Sequence, residues 1–227
     1  KSSEEIDGKS VPCDGQLYYR GYNIFDLVRG FQQDGRFGFD ECAYLLLFGN
    51  LPNADELLEF KKALGYSMTL PTNFVRDVIM KAPSQDIMNS LTKSVLTLAS
   101  YDDKVSDISL DNVLRQCVQL IAQLPMIMTY AYQVKRRHYY KKSMYIHPIK
   151  PEHSTAESIL YTTRSNRTFS DEEAKLLDLC LILHAEHGGG NNSAFATRVL
   201  SSSGTDTYAA LAAGIGSLKG PRHGGAN

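Results

Sequence analysis

The chain has 227 residues, of which 43% are hydrophobic and 22% charged, and its formal net charge is -1. This length can bury a substantial core, and the composition is that of an ordinary globular protein. The near-neutral charge provides no overall basic field for nucleic acid, and no apolar run reaches the ~18 residues that cross a bilayer. We therefore expect a cytoplasmic protein whose partners include neither nucleic acid nor a membrane.

The elements expected from apolar spacing are almost all helical, because strict apolar/polar alternation is rare in this sequence. In chain order they are a short strand pair near 16–20, then helices over 22–31, 39–48, from Asn53, 72–81, 85–101, 110–137, 157–163, from Ser170, 193–202 and 207–219. The fold class that this pattern predicts is all-α.

Local residue chemistry supports several of these boundaries. Gly49 follows the second helix as a C-terminal glycine, and Asn53 with Glu56 begins the next one. Ser170 begins a capping box. Pro125 lies inside the longest helix and is expected to kink it, because proline removes a backbone donor.

Several side chains are expected in the core from their helical spacing. They are Leu57, Leu58 and Leu64, and then Leu176, Leu177, Leu179, Ile182 and Leu183. Cys42, Cys117 and Cys180 lie in apolar stretches, which favours reduced core thiols over a disulfide framework. The helix over 207–219 is rich in alanine and glycine, which predicts close helix packing in a core or a subunit interface.

A basic cluster covers residues 135–142 (KRRHYYKK). It fits a solvated helix end or loop. The same residues also fit a binding site for an anion or a nucleotide phosphate, and the sequence leaves both interpretations open.

Two histidine–glycine segments carry the chemistry, at 184–193 (HAEHGGGNNS) and 220–227 (GPRHGGAN). Glycine lets backbone approach a ligand closely, and a helix that begins after the first segment attracts anions. A single histidine at a helix end is more often a cap or a core residue. Zinc is a weaker alternative, since His184 and His187 lack the HExxH spacing. A serine hydrolase is weaker still, because the sequence has no GxSxG elbow. We expect no metal.

Together with 17–24 (LYYRGYNI) and 43–52 (AYLLLFGNLP), these segments resemble the citrate synthase family, in the same order from about residue 15 onward. The resemblance implies a multihelical large domain over residues 1–227, in a family that dimerises through such helices. It implies condensation of oxaloacetate with acetyl-CoA, a substrate, without a cofactor. Arg222 departs from the resemblance, because the family usually has an apolar residue there.

The resemblance also implies roles for individual residues. His223 matches the catalytic histidine that donates a hydrogen bond to the acetyl carbonyl oxygen as the enol forms, and His187 matches one that binds oxaloacetate. Asn191 and Ser193 match supporting residues. A donor is needed because a thioester methyl proton is very weakly acidic, so the developing enolate oxygen must be stabilised.

The family's second histidine, aspartate base and carboxylate-binding arginines all follow the Gly-Pro-x-His-Gly motif, so we expect a truncated large domain without the small domain and C-terminal helices. Such a chain is expected to be inactive alone, slower by roughly 10⁴–10⁷ if the losses multiply. Two alternatives stay open. One is 2-methylcitrate synthase, which uses propionyl-CoA, and the other is an inert helical oligomerisation scaffold.

Overall fold

The computed structural model describes residues 3–186, 188 and 190–226. Helices dominate it, which confirms the all-α prediction. Two small antiparallel hairpins precede the helices. The pair β3 (Tyr18–Tyr19) and β4 (Tyr22–Asn23) confirms the expected strands, whereas the hairpin of β1 (Ser3–Ile6) and β2 (Lys9–Pro12) was not expected.

The helices follow the expected order, with ends that differ by a few residues. They are α1 (Ile24–Gln33), α2 (Phe39–Phe48), α3 (Ala54–Ser67), a π-helical segment (Val75–Met80), α4 (Ile87–Leu98), α5 (Leu110–His138), α6 (Thr155–Thr163), α7 (Asp171–Leu183), α8 (Asn192–Ser201) and α9 (Thr207–Leu218). Short 3₁₀ turns cover Ala99–Tyr101 and Gly224–Ala226. The expected α-helix over 72–81 is thus a π-helical segment.

Local chemistry sets the helix ends where the sequence predicted it. Gly49 has a φ of 87° and its N–H donates to the Leu45 carbonyl, 2.8 Å away. The Asn53 side chain accepts from the Glu56 N–H at 2.9 Å, and the Glu56 carboxylate accepts from the Asn53 N–H at 2.8 Å. This reciprocal pair satisfies two backbone donors that a helix start leaves free.

The chain divides into two compact units, the first within Lys1–Phe60 and Asp171–Glu186 and the second within Lys61–Ser170 and His187–Asn227. In the first unit, the Tyr19 hydroxyl donates to the Ile182 carbonyl at 2.6 Å, deep in an apolar cluster. The Asp178 carboxylate on α7 accepts from the Gly38 N–H at 2.7 Å. It therefore satisfies the N-terminus of α2 from another helix.

Several residues expected in the core are exposed. Leu58 is 51% exposed, Leu176 64% and Leu183 45%, and the Cys180 side chain is also exposed. On α7 the buried side chains are Ala174, Asp178 and Ile182, which follow one another at intervals of four residues. Helix α7 thus buries a narrow stripe, so leucines beside that stripe remain in solvent.

The second unit is built around α5, which packs against α4 and α6, while α9 packs against both α8 and α4. Helices α8 and α9 approach each other closely at Gly214. A Cβ atom there would lie 2.5 Å from the Thr197 Oγ1 and 3.4 Å from the Ser193 carbonyl oxygen. The expected close packing of the small-residue helix is therefore confirmed, inside this unit.

A buried polar network holds the start of α9. The Tyr208 hydroxyl donates to the Asp102 carboxylate at 2.8 Å, and the Thr207 hydroxyl donates to the Gln116 side chain at 2.5 Å. Gln116 in turn donates to Asp102 at 2.9 Å, and Arg115 binds the same carboxylate at 2.7 Å. One carboxylate therefore links α9 to α5 and to the turn after α4.

These contacts change how Asp102 titrates. Burial alone would raise the pKa of Asp102, but hydrogen bonds from Gln116, Arg115, Lys104 and Tyr208 outweigh it and hold this pKa well below its ordinary value. A depressed folded-state pKa stabilises the fold fully above the unfolded pKa of about 3.9. That stabilisation is lost as the pH falls below this value towards the folded pKa.

We expect Gly214→Ala to lower the free energy of unfolding by about 1–3 kcal/mol, because the added methyl group overpacks the α8–α9 contact. The matched control is Gly216→Ala on the same helix, where a Cβ would meet nothing within 4 Å. That change should raise the free energy by about 0.5–1 kcal/mol, because alanine favours a helix. Urea unfolding measures both, and equal effects would contradict the packing.

We expect Asp102→Asn to lower the free energy of unfolding near neutral pH by about 1–3 kcal/mol, because charged hydrogen bonds are lost. The native chain should also lose more stability than the variant between about pH 5 and pH 3. Urea unfolding across this range is the measurement. The neighbouring exposed residue gives the control, Asp103→Asn, which should keep the native pH dependence.

Candidate active site

Helix α8 begins at Asn191, which is one of the predicted supporting residues. Its side-chain oxygen accepts from the Ser193 N–H at 2.8 Å and from the Ala194 N–H at 3.2 Å. Its own N–H donates to the Gly188 carbonyl at 3.1 Å, and Gly188 has a φ of 87°. Because this oxygen caps the N-terminus of α8, Asn191 fixes the backbone at Ser193. It thereby sets the direction in which the Ser193 side chain points from the helix.

A tight turn after α9 positions His223, the predicted catalytic residue. The N–H groups of His223 and Gly224 both donate to the Gly220 carbonyl at 3.0 Å. A Cβ atom at Gly224 would lie 1.9 Å from the Leu218 carbonyl oxygen. Only glycine fits there, so the Gly-Pro-Arg-His-Gly motif folds back on the last turn of α9 and holds the imidazole at its end.

The structure brings Ser193 and His223 together. The Ser193 Oγ and the His223 Nε2 are 2.9 Å apart, and both residues are partly buried. If the hydroxyl donates, the His223 Nε2 accepts and the proton of the neutral ring sits on Nδ1. The ring then presents an N–H donor on the side away from Ser193, which is the group that an oxyanion site requires.

The other histidines of the first motif have different positions. His184 is exposed, and its Nδ1 lies 2.7 Å from the Cys180 carbonyl oxygen, so its side chain caps the C-terminal end of α7. His187, predicted to bind oxaloacetate, lies outside the described residues, and its role stays a prediction. Arg222 is exposed beside His223.

The described part of the chain lacks two features. No three histidine, cysteine, aspartate or glutamate side chains within it are grouped so that they could share a metal ion. None of its helices combines the length and apolar character needed to span a lipid bilayer.

Asp102 was not singled out from the sequence, because Asp102-Asp103-Lys104 reads as a polar break between helices. Its partner Tyr208 lies 106 residues away, so no local pattern marks the pair. The signal that could have found it is the tyrosine in an otherwise small-residue helix, because a buried phenol needs a hydrogen-bond partner.

The described structure thus places a histidine after the end of one helix against a serine at the start of another, within a helical fold. The chain belongs to the citrate synthase family, because the family profile described as "Citrate synthase, C-terminal domain" matches residues 3–227.

The similar proteins include bacterial, archaeal and plant enzymes. 2-Methylcitrate synthase 1 of Corynebacterium glutamicum is 32% identical over 96% of this chain and 55% of its own length. Citrate synthase of the same organism is 31% identical over 98% of this chain and 48% of its own length. The chain spans about half the length of these relatives.

A solved structure of citrate synthase from the archaeon Thermoplasma acidophilum, in ternary complex with carboxymethyl coenzyme A and oxaloacetate, is also similar. It is 28% identical with a TM-score of 0.77, and the match covers 93% of this chain and 52% of that one. The helical fold of this chain is thus shared with about half of that enzyme.

We expect Ser193→Ala to remove the hydrogen bond to the His223 Nε2 and to return the ring to a mixture of both neutral tautomers. Imidazole ¹⁵N chemical shifts measure the tautomer populations. The matched control is Ser202→Ala on exposed Ser202, whose hydroxyl donates to the Val199 carbonyl at 2.7 Å. Unchanged His223 shifts in Ser193→Ala would show that the hydroxyl does not set the tautomer.

Proposed function

We propose that the chain carries the large-domain part of a citrate synthase active site, which condenses acetyl-CoA with oxaloacetate to give citrate and CoA. The observation that carries this proposal is the Ser193–His223 contact of 2.9 Å at the junction of α8 and α9. The similarity to an enzyme solved with oxaloacetate and carboxymethyl coenzyme A supports the choice of substrates.

His223 is the proposed catalytic donor. Its N–H donates to the thioester oxygen of acetyl-CoA while a carboxylate base removes a methyl proton, so negative charge on that oxygen is stabilised as it develops. Ser193 positions the ring, and Asn191 positions Ser193 through the start of α8. An imidazole N–H suits this role because it donates a hydrogen bond at the position where negative charge develops.

The rest of the reaction follows from the substrates. The enol carbon attacks the ketone carbon of oxaloacetate, and the new carbon–carbon bond forms as the ketone C=O π bond opens and its oxygen takes up a proton. Water then cleaves the thioester to release CoA. We propose that His187 binds oxaloacetate. The carboxylate base, the second histidine and the arginines are proposed to come from the part of the family that this chain does not span, and no metal or other cofactor is proposed.

A second candidate is 2-methylcitrate synthase, which would take propionyl-CoA. The specific observation is that relatives with the two activities in one organism are 32% and 31% identical to this chain. This difference is too small to favour either acyl group. The acyl group therefore has to be assigned by comparing the two thioesters as substrates.

We also propose that the protein is a homodimer. Helices α4 and α8 both pack against α9, and both leave large apolar side chains in solvent. These are Leu96 at 49% exposed, Phe195 at 63% and Val199 at 50%. Such side chains on neighbouring helices favour a partner surface, and a second copy of the family's large domain fits it.

The test measures CoA release from acetyl-CoA or propionyl-CoA with oxaloacetate, for this chain and for the full-length protein. The full-length protein should turn over, and His223→Gln should lower its kcat by at least about 10²-fold because the oxyanion donor is lost. Ser202→Ala is the control and should retain activity. The chain alone should show a rate lower by roughly 10⁴ or more.

Light scattering on the same samples gives the oligomeric state. A monomeric full-length enzyme with turnover would contradict the homodimer but leave the reaction standing. Full activity in a correctly folded His223→Gln variant would contradict the proposed reaction mechanism. A chain that dimerises but binds no oxaloacetate in a calorimetric titration would favour the scaffold alternative.

A further inference from the structure

Two consecutive asparagines lie at the start of α8, and the first of them is enough to begin the helix. The Asn191 side chain is the cap, since it accepts from the N–H groups of Ser193 and Ala194. Asn192 is the first helical residue, where asparagine is a weak helix former and has no capping role left to fill. A contact outside α8 accounts for its side chain.

The Asn192 side chain reaches the far end of α9. Its Nδ2 donates to the Ser217 Oγ at 2.8 Å, across 25 positions of the chain. Serine hydroxyls often bond to carbonyls of their own helix, as those of Ser202 and Ser203 do with carbonyls of α8. The Ser217 hydroxyl accepts from a neighbouring helix instead, so this bond links the start of α8 to the last turn of α9.

The turn that carries His223 is built on Ser217. The Gly220 N–H donates to the Ser217 carbonyl at 3.1 Å, and the Gly220 carbonyl accepts from the His223 N–H at 3.0 Å. A path of hydrogen bonds therefore runs from the Asn192 side chain, through the end of α9, to the backbone of His223. Because every link is short, a shift of Ser217 relative to α8 also shifts the imidazole.

Asn192 and Ser193 hold this region through different groups. Asn192 holds the last turn of α9, whereas Ser193 holds the ring itself, with its Oγ 2.9 Å from the His223 Nε2. A displacement of about 1 Å would break the second bond, because hydrogen bonds weaken beyond about 3.5 Å. Close packing at Gly214 brings the helices together, and the directional bond to Ser217 fixes where α9 ends along α8.

We propose that Asn192 and Ser217 are positioning residues for His223, an inference that rests on the proposed function. Their hydrogen bond fixes the end of α9 against the start of α8. The His223 ring then meets the Ser193 hydroxyl and presents its N–H to the thioester oxygen. Both residues act through the backbone of the turn, so their removal should lower the rate of the reaction and leave substrate binding in place.

The first test uses this chain and needs no turnover. In Asn192→Ala and in Ser217→Ala, the imidazole ¹⁵N shifts of His223 should move towards those of a mixture of both neutral tautomers. The reason is that the Ser193 hydroxyl no longer meets the ring at bonding distance. Native His223 shifts in both alanine variants would overturn the proposal.

Two further variants separate this effect from a general loss of structure. Ser217→Thr keeps a hydroxyl at the same position and should retain the native His223 shifts. Asn50→Ala is the matched control, because it removes an exposed asparagine of the first unit whose side chain donates to the Leu51 carbonyl at 3.2 Å. It should leave His223 unchanged, and a shift as large as that of Asn192→Ala would overturn the proposal.

The second test measures turnover by the full-length protein. Asn192→Ala and Ser217→Ala should each lower kcat by about 3- to 10-fold and change the KM for oxaloacetate by less than about twofold, because only the donor is misplaced. The double variant should lose no more than either single variant, since both remove the same hydrogen bond. Losses that multiply in the double variant would overturn the proposal.

Failure of the proposed function gives a different result. A native full-length protein that releases no CoA from either thioester would contradict the proposed reaction, and the ¹⁵N shifts would still decide whether Asn192 and Ser217 place His223. A native enzyme that turns over, with an unchanged kcat in Asn192→Ala, would contradict the positioning role alone.

Discussion

The candidate site depends on how closely α9 approaches α8. Gly214 removes the side chain that would otherwise keep the two axes apart, and Thr197 and the Ser193 carbonyl occupy that space. Because α9 lies so close, the turn at its end places His223 within hydrogen-bond distance of Ser193. The proposed catalytic donor is thus oriented by backbone packing, and its serine partner needs only a short side chain.

The N-terminal end of α9 is held by hydrogen bonds to a carboxylate instead. There the Asp102 carboxylate accepts several hydrogen bonds, including those from Tyr208 and Arg115, in a largely buried position. A buried charge is tolerated only when it is paired and fully hydrogen-bonded, so this network fixes one arrangement of the surrounding elements. Close backbone packing at Gly214 and a satisfied carboxylate at the other end together define the position of the helix.

Local signals in the sequence predicted most of the fold. Asn53 with Glu56 and Gly49 act within four or five residues, and they mark helix ends as expected. Burial was harder to predict, because Leu176 and Leu183 have the apolar character of core residues but lie beside the stripe that α7 buries. Which face a helix buries depends on its neighbours in space, and the sequence does not state those directly.

The candidate site, like the fold, could be predicted from the sequence only where local signals act. The glycine-rich turns around His223 could be predicted from their composition, because backbone conformation there requires glycine. The Ser193–His223 contact joins residues 30 positions apart, and Tyr208 meets Asp102 across 106 positions. No spacing rule reaches that far, so the functional roles came from family resemblance rather than from residue pattern.

The separation between Asp102 and Tyr208 also has a consequence for how the chain reaches its native state. Closing a loop of that length carries an entropic cost that only later contacts can offset. During synthesis, α4 and α5 leave the ribosome well before α9 exists, so the surface that α9 will cover is exposed for an interval. The apolar side chains of α4 that α9 later covers are therefore open to aggregation during that interval.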